Sequence, residues 1–167
     1  MEDILAGKVH GELNIHSKST DARARLLSAL ANRPFEIDGQ MFSSVEGFYQ
    51  GIRFAFEDPR RRRAFASSYG YAQQFHKEAS GEFVWWKAEK IHCGSARHIE
   101  IIELAIRESF YQNPDRMKAL LDTRGLRLRH LTGKEDEPNS PLPAETFCKL
   151  LSKIRDEALA ETKTNRY

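Results

Sequence analysis

Residues 45–56 carry apolar side chains at the spacing of an α-helix. At 3.6 residues per turn, one face of such a helix would hold Val45, Phe48, Tyr49, Ile52 and Phe56. This pattern predicts an amphipathic helix that packs one side into a core. We expect it to end near Asp58 and Pro59, because proline disfavours helical geometry at the preceding residue.

Polar side chains follow one flank of this apolar stripe. They are Glu46, Gln50, Arg53 and Glu57. A carboxylate, an amide and a guanidinium along the edge of a core-facing helix can form one wall of a binding pocket. The pattern therefore makes this helix a candidate for the functional site, with Glu46 at its start.

Glu46 also has a purely structural interpretation. Ser43 and Glu46 have the three-residue separation of a capping box, in which each side chain bonds the other residue's backbone N–H. Spacing alone favours this interpretation over a functional one. The two roles are compatible, and the free N–H groups of a helix start also suit an anionic ligand.

Length and composition favour one folded domain. The chain has 167 residues, 40% of them hydrophobic and 30% charged, and a formal net charge of +2. This charge is far below that of a dedicated nucleic-acid coat protein. No signal peptide, lipidation motif or long apolar run is visible, so we expect a cytoplasmic protein without a membrane partner.

Metal and cofactor chemistry have little support in the sequence. Cys93 and Cys148 belong to no C-x-x-C pair. His92, Cys93 and His98 form the only cluster of metal-binding residue types, but their spacing is not a usual zinc spacing. We therefore predict no metal site and no cofactor.

Local signals predict an α+β fold, a mainly helical single domain with a few short strands. Strands are expected at residues 13–17 and 126–130, and a hairpin at 34–42 around Asp38 and Gly39. Asp21, Ser95, Pro114 and Pro143 mark further helix starts. Residues 1–12 are assigned to an N-terminal extension, 13–160 to the main domain and 161–167 to a frayed tail.

The middle of the chain combines a basic run with aromatic residues. Four consecutive arginines, Arg60, Arg61, Arg62 and Arg63, predict either a solvated surface or a contact with nucleic-acid backbone. Turns are expected around Gly70 and Gly81. Trp86 can be a core residue or a stacking surface for a base.

Four blocks of residues resemble the NADAR family of small N-glycosidases. They are residues 13–19 with 26–30, residues 34–39 with 42–50, Cys93-Gly-Ser-x-x-His98, and Leu128-x-His130 with 140–143 and 147–155. The resemblance spans about residues 13–157. The second block, with Phe42-x-Ser-Val-Glu-Gly-Phe-Tyr-Gln50, is the most specific.

The resemblance implies hydrolysis of the bond between a ribose C1″ and a nitrogen base. Some family members cleave a riboflavin-pathway intermediate, and others remove ADP-ribose from guanine bases in DNA to counter an ADP-ribosyltransferase toxin. The spelling of the blocks is closer to the second group. The implied ligand is then an ADP-ribose moiety, the substrate ADP-ribosylated DNA, and the functional partner the cognate toxin.

The resemblance also implies roles for individual residues. Glu46 is the candidate catalytic carboxylate, and His98, His130 or Lys90 can assist the leaving base. The candidate substrate-binding residues are Ser17, Ser28, Tyr49, Gln50, Arg53, Trp86, Ser95, His98, His130 and Ser140. Arg53 can hold a pyrophosphate or pair with Glu46 or Glu57, and His130 can be a core histidine. A non-catalytic ADP-ribose-binding module and a plain DNA-binding protein are the rival functions.

Overall fold

The computed structural model describes residues 5–79, 81–132 and 142–165. In chain order, its helices are α1 (Ala22–Leu27), α2 (Val45–Gly51), α3 (Pro59–Phe65), α4 (Tyr69–Gln73), α5 (Ala96–Tyr111), α6 (Pro114–Leu121) and α7 (Ala144–Thr164). Its strands are β1 (Lys8–Val9), β2 (Glu12–Asn14), β3 (Phe35–Ile37), β4 (Gln40–Phe42), β5 (Phe83–Trp86), β6 (Glu89–His92) and β7 (Arg127–Arg129). The predicted α+β class, mainly helical with a few short strands, is confirmed.

The chain divides into two units, one formed by Met1–Ser28 with Pro114–Tyr167 and the other by Ala29–Asn113. The first unit contains a three-stranded sheet in the order β1-β2-β7. β2 runs antiparallel to β1 and parallel to β7, with Leu13 opposite Leu128. Both leucines are buried, and both predicted strands exist, although β2 ends at Asn14 and β7 at Arg129.

In the first unit, helices α1 and α7 form where their sequences predict helices. The Asp21 carboxylate accepts from the backbone N–H of Arg23 at 2.9 Å, which caps α1 as predicted. The face of α7 that carries Phe147, Leu151 and Ile154 is buried. This helix continues to Thr164, so it includes residues 161–164 of the predicted tail.

The second unit contains two hairpins, β3–β4 and β5–β6. The turn of the first has Asp38 at φ 50° and Gly39 at φ 82°, which is the left-handed geometry of a type I′ turn. The predicted hairpin at residues 34–42 is therefore confirmed.

The predicted helix from Val45 to about Asp58 is shorter than expected, and a second helix starts after the connection that follows it. α2 ends at Gly51, and Asp58 caps α3 by accepting from the backbone N–H of Arg60 at 2.9 Å. Pro59 occupies the first position of α3, where a missing N–H costs nothing. Proline thus marks a helix start here, not a helix end. Phe56 lies in the connection, is 45% exposed and does not extend the buried stripe.

Two glycines allow α3 to pack closely against α2. A Cβ atom at Gly47 would lie 2.5 Å from the carbonyl oxygens of Ala64 and Ser67. A Cβ atom at Gly51 would overlap the ring of Phe65. This close approach explains glycine at both positions and fixes the orientation of the helix that carries Glu46.

Two predictions concern the segment between α3 and β6: a turn at Gly70, and Trp86 as either a core residue or a stacking surface. Gly70 lies inside α4, not in a turn. Trp86 is 5% exposed and packs edge-on against Phe48, with ring centroids 5.1 Å apart. Its indole is thus a core residue and offers no open face to a base, which corrects its assignment as a stacking residue. Gly81, at φ 126°, precedes β5 as expected of a turn.

No helix of the described residues has the length and hydrophobicity needed to span a membrane.

Candidate functional site

Glu46 occupies the second position of α2, which begins at Val45. Ser44 is the N-cap, and its Oγ accepts from the Gly47 backbone N–H at 2.9 Å and donates to the Ser67 carbonyl at 2.8 Å. The third helical position is therefore Gly47, which has no side chain to complete a capping box. The predicted capping box with Ser43 as the N-cap is wrong.

The predicted polar flank forms a hydrogen-bonded chain of three side chains. The Gln50 Nε2 donates to the Glu46 Oε1 at 2.8 Å, and the Arg53 Nη1 donates to the Gln50 Oε1 at 3.0 Å. Because a guanidinium only donates and a carboxylate only accepts, these partners fix the orientation of the Gln50 amide. Glu57 lies beyond α2, is exposed and takes no part in the chain.

Arg53 joins this chain to the segment that follows α4. Its Nη2 donates to the Ala79 carbonyl at 2.9 Å, and its Nη1 lies 3.4 Å from the His76 Nδ1. Among the described residues Arg53 forms no ion pair, and it is linked to Glu46 only indirectly, through Gln50. The guanidinium is held in a fixed position beside the carboxylate.

Tyr49 and His98 form the apolar side of the site. Their rings are nearly parallel, with an interplanar angle of 17° and centroids 6.1 Å apart. Burial raises the pKa of Tyr49, and the nearby Cys93 and Glu46 raise it further against the opposing effect of Arg53. The phenol is thus kept neutral. The Arg53 guanidinium carbon lies 5.8 Å from the centre of the Tyr49 ring.

His98 is completely buried, and burial together with the charge of Arg53 lowers its pKa to about 4. Its Nδ1 accepts from the Gly94 backbone N–H at 2.9 Å. The Ser95 Oγ accepts from the His98 backbone N–H at 3.3 Å, which confirms Ser95 as the predicted cap of α5. Ser95 therefore has a structural role in ordering the turn that leads to His98.

Cys93 was not predicted as part of the site. It is half-buried, burial raises the pKa of its thiol, and the charge of Arg53 opposes this shift. The sequence contained one signal for its position, since Cys93 opens the block that ends in His98. In the part of the chain that the structure describes, no group of three or more His, Cys, Asp or Glu side chains could hold a metal ion.

The four arginines of α3 do not form a uniform basic surface. Arg60 pairs with Asp58 at 2.7 Å. Arg61 is half-buried, donates to the Phe54 carbonyl at 2.9 Å, and burial lowers its pKa to about 10. Arg62 and Arg63 are exposed. The predicted DNA-contact surface is therefore reduced to two residues, and Arg61 is a structural residue.

The remaining candidates belong to the first unit. Ser17 is half-buried after β2, and Ser28 is the buried C-cap residue of α1. His130 is half-buried, and its Nδ1 lies 2.7 Å from the Ile15 carbonyl, which requires the proton on Nδ1. Ser140 lies outside the described residues.

His130 also borders a groove of about 550 Å³ between β7 and the first turns of α7. In the second unit, a groove of about 380 Å³ lies beside Arg61 and Arg62. Glu46 lines neither of these two grooves, and its site is defined here by its converging polar groups.

The fold resembles a solved structure. The NMR structure of the E. coli protein YbiA matches with a TM-score of 0.65 at 16% sequence identity, over 98% of this chain and 96% of that chain. The two chains therefore share a fold. A family model described as bacteriophage protein GP30.3 matches residues 22–156, and the chain belongs to this family. A comparison with curated protein sequences found no match.

Proposed function

We propose that this protein is an N-glycosidase that hydrolyses the bond between a ribose C1″ and a nitrogen base. The observation that carries the proposal is the hydrogen-bonded chain from Glu46 through Gln50 to Arg53. It holds a carboxylate in a fixed orientation at the edge of a buried helix face. The YbiA-like fold is consistent with this class of activity.

Hydrolysis of an N-glycosidic bond uses a carboxylate that is held in a fixed orientation. As the C1″–N bond breaks, its electron pair leaves with the base and positive charge develops on the ribose. Glu46 can stabilise that charge or take a proton from the attacking water, whose oxygen bonds to C1″. Glycosidases that act on sugar–oxygen bonds use carboxylates on the same principle.

The base departs more readily when a proton reaches its nitrogen. His98, His130 and Lys90 are the candidate donors predicted from the sequence. Lys90 is exposed, with its Nζ 4.2 Å from the centre of the Phe83 ring. A proton donor must reach the departing nitrogen in the bound complex, so substitution of each residue tests whether it supplies the proton.

The more specific proposal is removal of ADP-ribose from guanine bases in DNA, which would counter an ADP-ribosyltransferase toxin. The exposed Arg62 and Arg63 support it, because two cations beside each other can contact successive phosphates. The engagement of Arg60 and Arg61 within the protein favours the second candidate, a small-molecule N-glycosidase acting on a riboflavin-pathway intermediate.

Turnover with two substrates tests both levels of the proposal. The protein is incubated with ADP-ribosylated DNA and, separately, with the riboflavin-pathway intermediate, and the release of the free sugar product is measured. Release from the DNA alone supports the specific proposal, and release from the intermediate alone supports the second candidate. Binding of ADP-ribose without release from either substrate would indicate a non-catalytic module.

Glu46→Gln tests the assignment of the catalytic carboxylate. The amide oxygen of glutamine can still accept from Gln50, so folding should be preserved while the charge is lost. We expect the rate to fall by at least about a hundredfold, the usual scale for an acid–base group. Glu57→Gln removes an exposed carboxylate nearby and is the matched control, with unchanged rate expected. A fully active Glu46→Gln protein would refute the assignment.

A further inference from the structure

His98 is held in a single protonation state by its backbone partner. The Gly94 N–H can only donate, so the His98 Nδ1 that accepts it at 2.9 Å must be without a proton. The neutral ring then carries its proton on Nε2. The tautomer therefore follows from the geometry of one hydrogen bond.

The Nε2–H of this tautomer has no partner within the described part of the chain, although His98 is completely buried. An unpaired buried donor has lost its hydrogen bonds to water without compensation, and such groups are uncommon in native proteins. A ligand atom that accepts this hydrogen bond would supply that compensation. The orphan donor is thus an independent sign that something binds here.

The surroundings of His98 are those of the proposed active site. Tyr49 lies nearly parallel to its ring, and the charge of Arg53 acts on the imidazole. Tyr49 lies on the same helix as Glu46, and the Arg53 guanidinium carbon lies 5.8 Å from the centre of the Tyr49 ring. The orphan Nε2–H therefore belongs to the same cluster as the proposed catalytic carboxylate.

The geometry points to the His98 Nε2–H as a fixed, neutral donor that binds an oxygen of the ribose lying beside Glu46. This inference rests on the proposed N-glycosidase function. An uncharged donor suits a sugar hydroxyl or ring oxygen, whereas a phosphate is better held by cations. A neutral imidazole also adds no positive charge next to the cation that develops at C1″.

The same geometry removes His98 from the candidate acids. To protonate the leaving base, His98 would first have to become an imidazolium. Its Nδ1 would then carry a proton directed at the Gly94 N–H, with two donors facing each other. Burial and Arg53 also disfavour the charged ring. His98 is thus a binding residue for the sugar and not a source of the proton.

The tautomer can be tested on the unaltered protein. ¹⁵N NMR of histidine-labelled protein between pH 5 and 8 should show His98 with a bare Nδ1 and a protonated Nε2, without titration. Saturation with ADP-ribose should shift the Nε2 resonance. Protonation at Nδ1, titration within this range or an unshifted Nε2 in the saturated complex would overturn the inference.

Two substitutions of His98 distinguish the role of its Nε2–H donor from the role of its Nδ1 contact with the Gly94 backbone. His98→Gln keeps an amide donor near the Nε2 position, and His98→Asn keeps a polar group near the Nδ1 position only. We expect His98→Asn to weaken ADP-ribose binding about threefold to tenfold, the effect of one hydrogen bond, with His98→Gln close to the original protein. ADP, which lacks the second ribose, should bind both variants equally well.

His92→Asn is the control for the substitution itself, because His92 is an exposed histidine on the neighbouring strand β6. Unchanged ADP-ribose affinity in a folded His98→Asn protein, or an equal loss for ADP, would overturn the inference. If His98→Asn does not fold, the NMR measurement on the unaltered protein decides.

Turnover by the Glu46→Gln variant tests the proposed function independently of the His98 contact. Undiminished turnover in Glu46→Gln, together with selective loss of ADP-ribose affinity in His98→Asn, would refute the catalytic assignment and retain the sugar contact. Loss of turnover in Glu46→Gln, with normal ADP-ribose affinity in His98→Asn, would support the catalytic assignment and refute the sugar contact of His98.

Discussion

The Gln50 Nε2 donates to the Glu46 Oε1 at 2.8 Å, and Gln50 is only 1% exposed. A buried amide between a carboxylate and a guanidinium fixes both partners without placing their charges in direct contact. Glu46 is thus oriented in part by a neutral group.

Replacing Gln50 with methionine tests this bridge. Methionine has a similar length but cannot bond either neighbour, so the carboxylate and the guanidinium lose a shared partner. We expect the turnover rate to fall about tenfold and the free energy of unfolding to fall by about 1–2 kcal/mol, since two hydrogen bonds to charged groups are lost. Rate measurements and urea unfolding check both values. An unaltered rate would show that the orientation of Glu46 does not depend on Gln50.

The arginines of α3 should separate into binding and structural residues. Replacing both Arg62 and Arg63 with alanine is expected to raise the Michaelis constant for ADP-ribosylated DNA. It should also reduce the slope of its salt dependence by about one unit or more. Stability should change by less than about 0.5 kcal/mol. Arg61→Ala is instead expected to destabilise the fold by about 2 kcal/mol, because it removes a packed and hydrogen-bonded side chain.

The DNA measurement needs a control with the same loss of charge. Arg124 and Lys163 are both exposed and lie in the first unit. Their double replacement with alanine should leave the salt dependence nearly unchanged. An equal effect of the two double variants would indicate general electrostatic attraction and argue against a specific contact by α3.

Gly47→Ala tests the close packing of α2 and α3. The added methyl group would overlap two backbone carbonyls, which cannot move as a flexible side chain can. We expect a loss of about 1–3 kcal/mol in the free energy of unfolding. Gly70→Ala is the matched control, because Gly70 is also helical but no atom lies within 4 Å of its added Cβ. It should be neutral or stabilise by up to about 1 kcal/mol.

The protein should become less stable as the pH is lowered, because His98 binds a proton less readily in the folded state. Its pKa in the folded protein is lowered from 6.5 to about 4, so the unfolded chain binds the proton more readily between these values. The free energy of unfolding is therefore expected to decrease as the pH falls from about 6.5 to 4, by up to about 3 kcal/mol from this group. Urea unfolding at several pH values measures the slope, and His98→Asn should flatten it. An identical slope in the variant would show that His98 does not cause the effect.

Chelation should not affect turnover. The proposed chemistry uses a carboxylate and a water molecule, and the described residues include no cluster of three potential metal ligands. We expect the same rate before and after treatment with EDTA. Inactivation that one added metal ion reverses would contradict this expectation.

Sequence alone identified the features that depend on near neighbours in the chain. Asp38 and Gly39 specify their turn because few other residues adopt left-handed geometry at low cost. Asp21 and Ser95 specify helix starts because their side chains reach backbone N–H groups two or three residues away. The polar flank of Glu46, Gln50 and Arg53 was predicted by helical spacing, since α2 and the turn after it preserve that spacing.

Tertiary structure decided the features that depend on residues distant in the chain. Ser44 and not Ser43 caps α2, and Ser44 also bonds the Ser67 carbonyl 23 residues away. Trp86 became a core residue because Phe42 and Phe48 surround it. Gly47 faces the backbone of α3, which no local signal reveals. Helical periodicity gives the direction of a side chain, but its partner, its burial and its protonation state are set by which segments pack together.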